Sequence, residues 1–235
     1  MEKFAIHGGM MLGADALNKL TCADNKHFVV IAGNIGSGKT TLTKKISERL
    51  GWKPHFESVQ DNPYLSDFYD DMSRWSFNLQ VYFLNHRFMT HRDIEVSASS
   101  SIQDRSIYED AHIFARALFE QGNLSPRDYE NYQRLYQSMT QFLQPPSLMI
   151  SLRRSVPKLL ERIKLRGRDY EQAIPVDYLT RLNQYYEEWY SAYNIGKALI
   201  VDTDDLDFLD NEDHFNKLVH KISESFDQQD LFLQY

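Results

Sequence analysis

The feature that most constrains the fold is an apolar run that leads into a glycine-rich turn and then a helical pattern. Residues 28–32, Phe-Val-Val-Ile-Ala, predict a buried strand. The next eight residues match G-x-x-x-x-G-K-S/T; they are Gly33, Asn34, Ile35, Gly36, Ser37, Gly38, Lys39 and Thr40. Glycines let backbone N–H groups turn inward around a phosphate, and a helix N-terminus adds favourable partial charge. The unit therefore predicts a phosphate-binding loop.

The side chains of this loop indicate a nucleoside triphosphate with Mg²⁺. Lys39 is expected to reach the β- and γ-phosphates and Thr40 to hold the metal, with Thr41 completing the ATP-binding set. The alternative is a glycine-rich turn with an exposed lysine. A GTPase is not indicated, because no downstream D-x-x-G occurs and residues 25–28, Asn-Lys-His-Phe, lie before the loop with Phe in place of Asp. Small-molecule kinases and ATPases remain.

Strand and helix patterns alternate after the loop, which predicts an α/β, P-loop kinase-like three-layer fold. Further strands are expected at 53–57, 101–104, 147–152 and 198–202, so that a five-stranded parallel sheet is flanked by helices. A helix is expected from Ser73, another over 111–119 and another from Pro126 to about residue 143. We expect one domain over 28–235, preceded by an N-terminal extension over 1–27.

Composition excludes several classes of protein. With 235 residues, 42% of them hydrophobic, the chain can bury a large core, yet it has no apolar run of the roughly eighteen residues that a membrane helix needs. The net charge of −7 argues against broad nucleic-acid binding. A single cysteine, Cys22, excludes an internal disulfide framework and suits a reducing compartment. Residues 1–27 lack the features of a secretory or transit peptide, so a cytoplasmic protein is expected.

Charged residues at predicted strand ends indicate where the acceptor binds. Ligands of open parallel sheets bind outside the carboxyl ends of the strands. Glu57 ends the second predicted strand and could accept the proton of an attacking hydroxyl, although an ordinary exposed glutamate is the alternative. Asp104 and Arg105 end the third, where the first could hold Mg²⁺ through water and the second could offset phosphoryl charge. The alternative is a surface ion pair.

Two further groups of polar residues admit both a functional and a structural interpretation. Arg162, Arg166 and Arg168 crowd around Gly167, which predicts an arginine-rich lid over a triphosphate, or else a solvated helix face. Gln80 and Arg87 lie seven residues apart, on one face of a helix. Their donors and acceptor suit the edge of a nucleobase, but these two residues taken alone favour an ordinary polar stripe whose hydrogen bonds are satisfied within the protein.

Taken together, the motifs resemble the deoxyribonucleoside kinase family, which contains deoxycytidine, deoxyguanosine and deoxyadenosine kinases. The resemblance spans about residues 28–208. It rests on six segments in order: 33–40, Glu57-Ser58-Val59, 62–65 (Asn-Pro-Tyr-Leu), 75–80 (Trp-Ser-Phe-Asn-Leu-Gln), 104–110 (Asp-Arg-Ser-Ile-Tyr-Glu-Asp) and 166–172 (Arg-Gly-Arg-Asp-Tyr-Glu-Gln). It implies transfer of the ATP γ-phosphoryl group to a deoxyribonucleoside 5′-hydroxyl, in nucleotide salvage.

The resemblance also implies roles for individual residues. Glu57 would be the general base, with Arg105 beside the reacting oxygen and Lys39 on the phosphates. The sugar 3′-hydroxyl would be held by Tyr69 and Glu171. The base would be read by Gln80, Arg87 and Asp110 and stacked on Phe114. A homodimer through the helices at 74–92 and 126–143 is implied, with nucleoside, ATP and Mg²⁺ as ligands.

Two departures place the sequence nearest to the bacterial-type deoxyadenosine/deoxyguanosine kinases. Ser58 stands where many relatives have Pro, and Asp104 replaces the Glu of animal members. Asp110 would accept a hydrogen bond from an exocyclic amine, which thymine lacks. We therefore expect deoxyadenosine as the favoured substrate, with deoxyguanosine or deoxycytidine also used. The alternatives are a thymidylate-kinase-like monophosphate kinase, which needs another cationic group, and a non-catalytic nucleotide-binding subunit.

Overall fold

The sheet forms around the strand that precedes the phosphate loop. In the computed structural model, which describes residues 20–21, 26–56, 62–168, 174–227 and 232–234, all six residues of β1 (Phe28–Gly33) are buried. The other strands are β2 (Lys53–His55), β3 (Ser101–Asp104), β4 (Leu148–Arg153), β5 (Ala198–Asp202) and β6 (Phe232–Gln234). Every neighbouring pair is parallel, in the order β2-β3-β1-β4-β5-β6.

Helices cover both faces of this sheet. They are α1 (Lys39–Leu50), α2 (Leu65–Asp70), α3 (Met72–Val96), α4 (Ile107–Glu109), α5 (Arg116–Glu120), α6 (Pro126–Thr140), α7 (Val156–Arg166), α8 (Val176–Ala192) and α9 (Glu212–Asp227), with a π-helical segment, Asp110–Ala115, between α4 and α5. Across the described ranges, no helix combines the length and apolar character that a membrane crossing requires.

The two largest hydrophobic clusters of the described residues lie on opposite faces of the sheet. On one face, Val29 and Ile31 pack with Leu42 of α1 and Leu218 of α9. On the other, Ala32 packs with residues of α3, α6 and α8, among them Tyr132. Successive strand residues face opposite sides, so one strand serves both cores. The predicted α/β fold with a parallel sheet covered by helices is confirmed.

The structure differs from the sequence-based expectations in several local details. The second strand, expected at 53–57, ends at His55. The short strand β6 adds to the five expected strands by pairing with β5, Ala198 opposite Phe232. Helix α3 begins at Met72, not at Ser73, because the Asp71 side chain caps it by accepting a hydrogen bond from Arg74 N at 3.0 Å. The helix expected at 111–119 begins at Ile107 and contains the π-helical segment.

Candidate active site

The phosphate loop turns sharply between β1 and α1, and its glycines are needed for that turn. Gly33 has a φ of 146° and Gly36 a φ of 83°, a region that side chains disfavour. A Cβ at Gly33 would lie 2.8 Å from the Leu152 carbonyl, and one at Gly36 2.9 Å from the Leu159 carbonyl. The loop therefore packs against β4 and α7 through bare backbone, and its amides lead into the N-terminus of α1.

Polar contacts inside the loop hold its lysine and its asparagine. Lys39 Nζ donates to the carbonyls of Gly33 at 2.8 Å and Asn34 at 2.9 Å. The Asn34 side chain is buried and donates to Asn183 Oδ1 at 2.6 Å and to the Leu179 carbonyl at 3.1 Å. Asn34 thus anchors the loop to α8 and does not line the cavity described below, whereas Lys39 does.

The carboxyl end of β3 lies beside the phosphate loop, because β3 is the neighbour of β1. Thr40 Oγ1 donates to Asp104 Oδ2 at 2.6 Å. Asp104 is 2% exposed, and its second oxygen, Oδ1, has no hydrogen-bond partner among the described residues. A hydroxyl and a carboxylate side by side are suitable ligands for Mg²⁺, which keeps several waters and uses few protein oxygens.

Arg105 occupies a strained backbone position at the same strand end. Among the described residues it is the one non-glycine with positive φ, at 69°. Its N–H donates to the Ile31 carbonyl at 3.0 Å, and its guanidinium lies 4.2 Å from the centre of the Phe114 ring. Such strain persists only where surrounding contacts hold it, and it is concentrated at functional sites.

A buried ion pair supports this strand end from α3. Arg87 Nε donates to Asp110 Oδ2 at 2.9 Å, and both side chains are less than 5% exposed. Arg87 Nη1 also donates to the carbonyls of Asp104 at 3.2 Å and Arg105 at 3.3 Å. Arg87 therefore lies behind the site and holds its backbone, while Asp110 lines the cavity itself.

One cavity of about 750 Å³ brings most of the sequence-predicted residues together. Its lining includes the predicted residues Ile35, Gly36, Lys39, Thr40, Tyr69, Gln80, Asp104, Arg105, Asp110, Phe114, Arg166 and Arg168. Gln80 is 4% exposed, and its Oε1 has no hydrogen-bond partner among the described residues. A buried acceptor without a donor is costly, so a ligand N–H at this point would relieve that cost.

Other predicted residues lie elsewhere. Arg162 does not line the cavity; its guanidinium is 4.0 Å from the Asp207 carboxylate. Thr41 is exposed on α1. Glu57 and Glu171, predicted as base and sugar ligand, lie outside the described residues. Three other loop residues, Gly33, Ser37 and Gly38, form the turn and do not line the cavity.

Sequence reasoning missed part of the cavity wall on α8. Tyr178 and Arg181 both line the cavity and lie three positions apart, on one helix face. Burial raises the pKa of Tyr178; nearby Tyr69 raises it further, while Arg105 opposes the shift. The three- and four-residue spacing of the apolar and aromatic residues over 178–182 was visible in the sequence. Nothing in the local sequence, however, distinguished a helix face that lines a cavity from one that packs in the core.

The phosphate loop also has a buried carboxylate behind it that the sequence analysis did not assign. Glu109 is fully buried, and its Oε1 accepts from Gly33 N at 3.2 Å. Its position within a capping box with Ser106 offers an ordinary structural explanation in sequence terms. The contact with Gly33 became visible only in three dimensions.

Comparison with known proteins agrees with this geometry. The family model described as "Deoxynucleoside kinase" matches residues 29–227. The chain is 39% identical over 198 residues to the deoxyadenosine/deoxycytidine kinase of Bacillus subtilis, covering 83% of this chain and 91% of that protein. It is 45% identical over 161 residues to the deoxyadenosine kinase of Dictyostelium discoideum, covering 68% of this chain and 65% of that protein.

Solved structures agree as well. A structure of deoxyadenosine kinase from M. mycoides with bound dCTP has a TM-score of 0.72 and 30% sequence identity, covering 83% of this chain and 98% of that one. Together these matches confirm the predicted ATP-dependent phosphotransferase and favour it over a monophosphate kinase or a non-catalytic subunit. The chain belongs to the deoxynucleoside kinase family.

Proposed function

We propose that this chain transfers the γ-phosphoryl group of ATP to the 5′-hydroxyl of a deoxynucleoside held in the 750 Å³ cavity. The observation that carries the proposal is that the same cavity is lined by the phosphate-loop residue Lys39 and by the buried polar residues Gln80 and Asp110. The first suits a triphosphate, and the other two suit a nucleobase. Donor and acceptor can therefore meet in one cavity.

Deoxyadenosine is the proposed preferred acceptor, with deoxyguanosine and deoxycytidine as further substrates. Gln80 Oε1 has no donor among the described residues, and the exocyclic amines of adenine, guanine and cytosine supply one. Asp110 lies in the same cavity and Phe114 offers a ring for stacking, with the Arg105 guanidinium over it. Arg87 acts on the base through Asp110. Tyr69, together with Glu171, is proposed to hold the sugar 3′-hydroxyl.

Charge and proton transfer are proposed to proceed as follows. Glu57 takes the proton of the 5′-hydroxyl as the oxygen attacks the γ-phosphorus in line, while the bond from that phosphorus to the bridging oxygen breaks and ADP leaves. Lys39 and Arg105, both lining the cavity, offset the negative charge that the transferring group carries. Arg166 and Arg168 form an arginine lid that closes over the phosphates. Arg162, beside Asp207, would need to leave this partner to join the lid.

Mg²⁺ is proposed to bind at Thr40 and Asp104. Asp104 Oδ1 has no hydrogen-bond partner within the part of the chain that the structure describes, and Asp104 lies next to the Thr40 hydroxyl. Such a pair is suited to a hard cation that also carries phosphate and water ligands. When bound, the metal neutralises phosphate charge. Within the described ranges no group of three or more His, Cys, Asp or Glu side chains could hold a metal.

A cytoplasmic homodimer is proposed, with residues 28–235 as the kinase domain and 1–27 as an extension. Four large apolar side chains are exposed on the second half of α3, on α6 and just beyond it. They are Met89 (52% exposed), Val96 (77%), Leu135 (37%) and Phe142 (65%). Packing two copies through this surface would bury them. The single cysteine of the chain suits a reducing compartment.

The proposal is tested by incubating the protein with Mg-ATP and a panel of deoxynucleosides and deoxynucleoside monophosphates, and by separating the products. We expect deoxyadenosine 5′-monophosphate as the main product. Glu57→Gln should lower kcat by about 10²-fold or more without loss of the folded state. Phosphorylation of monophosphates alone would contradict the proposed acceptor, and a Glu57→Gln rate close to wild type would contradict the proposed base.

A further inference from the structure

Glu109 is a buried carboxylate in contact with the phosphate loop, but it does not line the cavity. Its side chain is completely inaccessible to solvent. Each of its two oxygens contacts a different part of the chain. Oε1 accepts from Gly33 N at 3.2 Å, and Oε2 accepts from Ser106 N at 2.9 Å.

Two hydroxyl groups complete the surroundings of this carboxylate. Ser106 Oγ lies 3.2 Å from Oε2, and Tyr186 OH lies 2.9 Å from Oε1. The Tyr186 hydroxyl is also 2.8 Å from the Gly33 carbonyl, which accepts from Lys39 Nζ at 2.8 Å. Glu109 is thus connected, through Gly33 and Tyr186, to the lysine that is proposed to contact the transferring phosphoryl group.

Glu109 joins two backbone groups, one on the phosphate-donor side of the site and one on the acceptor side. Gly33 is the first residue of the phosphate loop. Ser106 directly follows Arg105, whose φ of 69° is held by its surroundings. A capping box explains the contacts with Ser106, which is three residues away, but not those with Gly33 and Tyr186, which are 76 and 77 positions away in the chain.

We propose that Glu109 is a positioning residue, which sets the separation between the phosphate loop and Arg105 and so aligns phosphoryl donor and acceptor. The inference rests on the proposed phosphoryl transfer from ATP, whose phosphates Lys39 contacts, to a 5′-hydroxyl beside Arg105. A carboxylate is required chemically, because a backbone N–H faces each of its oxygens. Glutamine would direct its NH₂ group at one of these donors, Gly33 N or Ser106 N, and neither can reverse its role.

The experiment compares Glu109→Gln, Tyr186→Phe and wild type for kcat, for the KM of deoxyadenosine and ATP, and for Tm. Glu48→Gln is the matched control, because Glu48 lies on α1 and its exposed carboxylate pairs with Lys44 at 3.9 Å. A displacement of about 1 Å at a reacting centre lowers the reaction rate on the order of 10²-fold, so Glu109→Gln should lower kcat by about 10- to 100-fold. The KM for deoxyadenosine should stay within roughly threefold of wild type.

Tyr186→Phe keeps the volume and removes one hydroxyl, so kcat should fall by roughly fivefold. Glu48→Gln should match wild type. If Glu109→Gln folds and keeps the wild-type kcat at a temperature below its Tm, the inference is overturned and Glu109 is only structural. If that variant does not fold, an unchanged kcat in Tyr186→Phe overturns it. A wild-type protein without kinase activity would contradict the proposed function instead.

Discussion

The buried Arg87–Asp110 pair permits a quantitative prediction about both stability and activity. Arg87→Leu would remove the guanidinium that lies 2.9 Å from the carboxylate of Asp110, a residue 3% exposed, and would remove donors from the carbonyls of Asp104 and Arg105. Breaking a buried pair by removing one member costs about 3–5 kcal/mol. For a chain of this size, each kcal/mol lowers Tm by about 2–4 °C, so Arg87→Leu should lower Tm by roughly 6–20 °C.

The pair should behave as one energetic unit. Replacing both members by apolar residues, Arg87→Leu with Asp110→Val, should cost far less than the sum of the two single changes, because no buried charge is then left unpaired. We expect a coupling energy of about 2–3 kcal/mol from urea unfolding at equal protein concentration. The exposed pair Arg134–Glu130 on α6 is the matched control, with an expected coupling below about 0.5 kcal/mol.

Activity should separate from stability in this double variant. Because Arg87 donates to the Arg105 carbonyl, kcat should remain low even where the free energy of unfolding is restored. Discrimination among nucleobases should also decrease, because the double variant lacks Asp110. The assay is kcat and KM for each deoxynucleoside below the Tm of every variant. Additive unfolding energies for the two single changes would refute the argument for a coupled buried pair. A wild-type kcat in the double variant would refute the role given to Arg87 at Arg105.

Three other predictions follow from separate parts of the structure. Gly36→Ala should lower the free energy of unfolding by about 1–3 kcal/mol and raise the KM for ATP, because the new Cβ would lie 2.9 Å from the Leu159 carbonyl. Gly51→Ala is the control for backbone strain: Gly51 has a φ of 69° and nothing lies within 4 Å of a Cβ there, so the KM for ATP should not change. Met89→Glu should weaken the proposed dimer by about tenfold or more in light scattering, and Val176→Glu, equally exposed at 52%, should not. Burial lowers the pKa of His91 below its ordinary 6.5, so the unfolded chain binds a proton at His91 more readily than the folded protein does. The contribution of neutral His91 to the free energy of unfolding is therefore full above pH 6.5 and is lost as the pH falls. The free energy of urea unfolding from pH 7.5 to 5.5 should depend less steeply on pH in His91→Gln than in wild type, and equal slopes would contradict this.

Predictions from the sequence were most successful where the relevant interactions are local. The loop at 33–40 and its flanking strand and helix could be recognised because glycine positions, apolar runs and a helix start are all encoded within a few neighbouring residues. The α/β alternation was recognisable for the same reason. The π-helical segment was a local feature that the sequence did not reveal, because its pattern of apolar residues is the same as that of an α-helix.

The candidate site was predicted less completely, because its contacts join distant parts of the chain. Gln80 and Arg87 lie on one helix and looked equivalent in sequence. In the structure Gln80 lines the cavity, whereas Arg87 points to Asp110 and to backbone carbonyls behind it. Similarly, Arg166 and Arg168 line the cavity and Arg162 lies by Asp207. Which side of a helix meets a ligand depends on how that helix packs, which spacing alone does not encode.

The sequence by itself determined the chemistry that this protein can offer: a phosphate loop, a carboxylate and arginine at a strand end, and polar side chains suited to a nucleobase. Only the tertiary structure decided which of these groups share one cavity. It also placed Glu109 between Gly33 and Ser106. The physical reason is that side-chain types and short spacings are properties of the chain, whereas contacts across 76 positions arise only when the β1 and β3 strands pair and the helices pack on them.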